Sequence, residues 1–72
     1  MIFSRHARDR LRLYAIDAEQ AEAIVAAGLV DGSDRHGNPR YAGELPDGRG
    51  IRVGVALDNP EVVISLYPRR KP

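Results

Sequence analysis

Apolar residues recur with one period in the first third of the chain and with another in the remainder, and the change predicts two kinds of structure. Between Ser4 and Tyr14 the positions Ala7, Leu11 and Tyr14 fall at i, i+4 and i+7, the stripe of an amphipathic helix, with Ser4 placed as N-cap behind the apolar Phe3. His6, Arg10 and Leu13 repeat that spacing one step round the axis, which sets His6 beside Arg10 at the edge of the core. A second helix is predicted over 17–27. Asp17 and Gln20 form a capping box, Ile16 staples against Ala21, and Gly28 supplies the left-handed C-cap. Its apolar stripe is Ala21, Ile24, Val25 and Gly28, whereas Asp17, Glu19 and Glu22 make an acidic, solvated side. The short Ala15-Ile16 junction makes the helices neighbours rather than one rod.

From Leu29 the period becomes two, with turn signals at Asp31-Gly32, His36-Gly37-Asn38-Pro39, Pro46-Asp47-Gly48 and Asp58-Asn59-Pro60. Residues 51–57 place Ile51, Val53, Val55 and Leu57 on one face and Arg52, Gly54 and Ala56 on the other. Residues 62–67 place Val62, Ile64 and Leu66 inward and Val63, Ser65 and Tyr67 outward. Arg40 to Leu45 is the expected partner strand, Leu29 to Gly32 a short additional one, and Pro68 to Pro72 a basic tail too polar to pack. The expectation is one α+β domain over 1–72, with two N-terminal helices on one face of a three- to four-stranded antiparallel sheet. Two helices cover only one side of such a sheet, so the face bearing Arg52, Val63, Ser65 and Tyr67 is left open.

Composition narrows the chemistry. At 72 residues, with 22 larger apolar or aromatic side chains, the chain holds enough for a single helix-on-sheet layer. It has no cysteine, so disulfides and thiolate zinc sites are excluded, and His6 and His36 lack partners at metal-ligand spacing, so neither metal nor cofactor is expected. The longest apolar stretch, Val62 to Leu66, is interrupted by Ser65 and far short of the ~20 residues that span a bilayer, which predicts a cytoplasmic protein with no membrane partner. Net charge is only +1, but residues 1–14 and the tail each carry +3 and the middle −5. Ends brought together by folding would form one cationic patch. Ten of the eleven basic residues are arginine, whose planar fork suits phosphate oxygens.

An open sheet face with arginine, tyrosine and serine is suited to RNA, because arginine binds phosphate and tyrosine stacks on bases. Metal-free cleavage of RNA needs an acid, a base and cations for the charge on the phosphorane, and His6, Tyr67, Arg10 and Arg52 are residue types that supply them. Each also has a plainer reading. His6 is equally an ordinary polar helix residue, Tyr67 a cover for the sheet, Tyr41 part of the core, and Arg52 the partner of Glu44 across the strands. His36 reads as a loop residue.

The run Ser4-x-His6-Ala7-x-x-Arg10-Leu11-x-x-Tyr14-x-Ile16, an acidic helix with Val25, then Tyr41-x-Gly43, Arg52-Val53 and Val63-Ile64-Ser65-Leu66-Tyr67 resembles a bacterial family of small domains of unknown function. That family is similar to the RelE/ParE-like toxins of toxin–antitoxin systems, and the resemblance extends over about residues 3 to 68. It implies the fold shared with barnase-like and colicin-type ribonucleases and a metal-independent endoribonuclease acting on messenger or ribosome-associated RNA. By position it implies His6, Tyr67 and Arg52 as catalytic residues, Arg10, Tyr41, Ser65, Arg69 and Arg70 as RNA ligands, and a protein antitoxin as partner. The alternative expectation is a non-catalytic module of the same fold that binds RNA or protein.

Overall fold

The computed structural model describes residues 1–69. The elements are β1 (Ile2–Phe3), α1 (Arg5–Leu13), α2 (Ala18–Ala27), β2 (Val30–Ser33), β3 (Pro39–Glu44), β4 (Gly50–Ala56) and β5 (Asn59–Pro68). Both helices start where their caps direct. The Ser4 hydroxyl accepts from the Ala7 amide at 3.1 Å and donates to the Ile64 carbonyl at 3.2 Å, so the residue that starts α1 also fastens it to β5. At α2 the Asp17 amide donates to Gln20 Oε1 at 3.0 Å, and Gly28 closes the helix at φ 73°. Between them Ile16 N–H bonds the Leu11 carbonyl at 2.8 Å and Ala15 N–H the Arg12 carbonyl at 3.3 Å. This is a Schellman closure, with Ala15 in the left-handed position at φ 52°. Arg49, in the turn after β3, donates to the Tyr14 and Ala15 carbonyls and so ties that turn to the end of α1.

The sheet corrects the expectation of three or four antiparallel strands. It is five-stranded and mixed, in the order β1-β5-β4-β3-β2. β1 runs parallel to β5, pairing Ile2 with Val62 and Phe3 with Val63, and the Ser4 amide extends the contact to the Val63 carbonyl at 2.9 Å. Two residues have no readable alternation, so β1 leaves no signal in the pattern of apolar positions. The remaining strands form an antiparallel meander.

The core lies between the helices and one sheet face. Ile51, Val53, Val55 and Val63 are fully buried there with Ala7, Ala21, Ile24, Leu45 and Leu66. Gly43 belongs to this face for a steric reason, since a Cβ there would stand 2.8 Å from Ile24 Cγ1. Three further expectations are corrected. Val63 is in the core rather than on the open face, whereas Val62 and Ile64 are only half-buried. The cause is a register shift: Ser65 pairs with Gly54 but Val63 with Val55, so Ile64 is an extra residue that reverses the phase of β5. Leu57 is 65% exposed, because β4 ends at Ala56 and Leu57 lies in the following turn. Pro68 is still strand, and Arg69 N–H bonds the Gly50 carbonyl at 2.7 Å, so the beginning of the basic tail is packed.

Candidate nucleic-acid interface

The face of the sheet away from the helices is set by register. The row Ala42, Arg52, Tyr67 crosses β3, β4 and β5, and the row Arg40, Gly54, Ser65 lies beside it. Side chains at these positions point to one side, opposite Tyr41, Val53 and Leu66. Small residues therefore form the floor, and arginines and a tyrosine stand over it.

Arg40 from β3 and Tyr67 from β5 meet across β4, with Arg40 Nη1 donating to the Tyr67 hydroxyl at 2.8 Å. Arg40 Nη2 lies 3.2 Å from where a Cβ on Gly32 would stand, so the left-handed glycine of β2 leaves room for the guanidinium. The Arg40 Nε is buried and has no hydrogen-bond partner among the described residues. Arg52 reaches toward the sheet edge, where its Nε donates to Asp31 Oδ2 at 2.8 Å. The Asp31 carboxylate above all, and the neighbouring Tyr67 hydroxyl to a smaller degree, raise the Arg52 pKa above its ordinary value against the opposing effect of burial. Arg52 is a permanent cation whose Nε–H is already engaged. The pair lies beside Ala42, which is 2% exposed although it faces away from the core. Arg69 lies along Gly50, its Nε 3.5 Å from the position of a Cβ there. Gly54 makes room for Ser65, whose Oγ would be 2.6 Å from an added Cβ.

Of the residues expected at the site, Arg52, Ser65, Tyr67 and Arg69 share this face. Tyr41 pairs with Val53 and packs against the helix-covered core. His6 and Arg10 are on α1, on the covered side, where Arg10 Nε donates to His6 Nε2 at a long 3.4 Å and His6 is exposed. Arg70 lies outside the described residues. Arg52 takes Asp31 rather than the expected Glu44. Two members of the cluster, Arg40 and Asp31, are absent from the sequence expectation. Arg40 has a signal, since it alternates with Tyr41 and so falls on the same side as Ala42, but Asp31 reads only as part of an Asp-Gly turn.

The ends of the chain do come together, because β1 lies against β5, but among the described residues their arginines do not form one patch. Arg5, Arg8 and Arg12 line a polar groove with Asp9 on α1, on the helix side of the sheet, while Arg69 joins the open face. Among the described residues no three histidine, aspartate or glutamate side chains gather as metal ligands, and no helix is long and apolar enough to cross a membrane. No family model, curated protein or solved structure matches the chain.

Proposed function

We propose that this domain is a non-catalytic, single-stranded RNA-binding module of the cytoplasm that takes phosphates on the open face of its sheet. The observation that carries the reading is the placement of Arg40, Arg52 and Arg69 on one face with Tyr67 among them, above a floor of Ala42, Gly50 and Gly54. Guanidinium groups offer paired donors to phosphate oxygens, and a flat, small-residue floor lets an extended strand approach closely. Binding rather than cleavage is favoured because His6, one of the two acid–base candidates, stands on α1 on the covered side of the sheet and does not join Tyr67 on the open face.

Fluorescence anisotropy with a labelled oligouridylate tests this. The wild type is expected to bind at low salt and to weaken as salt rises, and Arg40→Ala and Arg52→Ala each to flatten the slope of log K against log salt by about 0.7 per lost phosphate contact. Absence of binding at low salt, or alanine variants that bind as the wild type does, would remove the reading.

One observation favours a second reading, a toxin-like metal-independent endoribonuclease held in check by an antitoxin segment that covers the same arginines. The Tyr67 hydroxyl is held by Arg40 with Arg52 alongside, an arrangement in which a phenol donates a proton to a leaving oxygen. Expression in a bacterial host distinguishes the two. Growth arrest with RNA breakdown, relieved by Tyr67→Phe, would favour cleavage, and intact RNA with soluble protein would favour binding alone.

A further inference from the structure

A carboxylate is out of place on a surface that binds phosphate. Asp31 nonetheless sits on the open face with Oδ2 at 2.8 Å from Arg52 Nε, and it is rooted on β2, at the margin of the sheet. β2 is the less regular of the two margins. Its pairing with β3 shifts register between Val30 and Ser33, Gly32 adopts φ 73° within it, and Val30 is 59% exposed. The rest of the sheet is differently placed, since β4 is bonded on both sides and its core residues are fully buried. Arg52 therefore projects from a fixed strand, whereas Asp31 projects from an irregular one. Glu44, whose partner Gly50 is two residues from Arg52, also projects onto this face but makes no ion pair among the described residues.

We propose that Asp31 is an internal competitor for phosphate: its carboxylate occupies the Arg52 donor in the free domain and is displaced when an RNA phosphate docks there. This rests on the RNA-binding reading and adds that the face is held below its full affinity by its own side chain. The pair is also exposed enough to exchange, with side-chain exposures of 31% for Arg52 and 38% for Asp31, and an ion pair so placed is worth little in water. An RNA phosphate, whose two non-bridging oxygens match the guanidinium fork, competes for the same donor. Loss of the Asp31 charge frees the Arg52 donor, so Asp31→Asn is expected to bind more tightly, unlike an acid that merely buttresses the fold.

The test is anisotropy with the same oligouridylate on the full chain, comparing wild type, Asp31→Asn, Asp31→Ala and Arg52→Ala, each checked for a folded melting transition. Both Asp31 variants are expected to tighten binding by about two- to fivefold at low salt, the range of an exposed ion pair, and Asp31→Asn combined with Arg52→Ala to lose that gain. Unchanged or weaker binding by both Asp31 variants, with Arg52→Ala still weakened, overturns the competitor while leaving the RNA-binding reading intact. Binding by none of the proteins removes both. Tightening that persists without Arg52 also overturns it, because the effect would then be general charge rather than competition for that donor.

Discussion

The two faces of this sheet are built from the same strands, yet they use small residues for opposite purposes. On the covered face Gly43 lets α2 approach, and the space that its missing side chain leaves is filled by Ile24. On the open face Gly54 leaves space that is filled by Ser65, a side chain with freedom to turn. The first contact is apolar, dense and locked by a helix, and the second is polar and borders solvent. The contrast teaches that a close approach has structural weight only where the neighbour cannot move away. Stability is invested in the covered face, and the open face is left free to bind.

The largest effect that would sharpen this contrast is Gly43→Ala, because the new methyl would meet three carbons of Ile24 between 2.8 and 3.4 Å away. Overpacking of this kind is expected to cost about 1–3 kcal/mol in urea unfolding. A neutral result would mean that α2 can slide, and the covered face would then be as permissive as the open one. Next, a double-mutant cycle on Asp31 and Arg52 is expected to give a coupling of about 0.2–1 kcal/mol, the range for an ion pair in contact with water. A coupling well above that range would make the pair a structural anchor and would blur the division between the faces.

Gly54→Ala should be milder than either, within about 0.5 kcal/mol, since Ser65 Oγ can rotate away by one staggered step. A loss equal to that of Gly43→Ala would break the comparison outright. The smallest effect belongs to the loop between β2 and β3, at the exposed end of the sheet. Asp34 accepts from the Asn38 side chain at 2.9 Å and from the His36 and Asn38 amides at 2.8 and 3.0 Å. The Asn38 side chain first, then the backbone amides and the His36 charge, hold its pKa below the ordinary 3.8. A lowered carboxylate pKa gives stability that is present above 3.8 and is lost as pH falls from there through the folded value. Amide exchange of His36 and Asn38 is therefore expected to quicken below pH 3.8 in the wild type and to be insensitive to pH-driven unlocking in Asp34→Ala, after correction for the intrinsic rate. A smaller protection of these amides at neutral pH than in acid, after the same correction, would contradict the sign.

Much of the architecture was legible because it is local. Ser4, the Asp17–Gln20 pair and Gly28 act within one helical turn, so the sequence alone located the two helices, and strict alternation over 51–55 oriented β4. The placement of Arg52 on the open face followed from that alternation, and that of Tyr67 from the alternation over 62–67, which holds at 65–67 but fails at Val63. What escaped depends on contacts between residues far apart in the chain. β1 exists only because Ile2 and Phe3 meet Val62 and Val63, and the extra residue Ile64 can be recognised only against Val55 and Gly54 on the neighbouring strand. The same holds at the candidate site. Alternation brought Arg52 and Tyr67 to one face, but it could not bring Asp31 across from β2 or Arg40 to the Tyr67 hydroxyl, because side-chain pairing is chosen among all groups within reach in space. It was the resemblance that joined His6 and Arg10 to Tyr67 in one site, whereas α1 holds them on the covered side of the sheet. The sequence by itself determined where the chain turns and which residues in a given strand share a side; tertiary structure decided which strands meet, in what register and against which face, because those choices are made by burial summed over the whole chain.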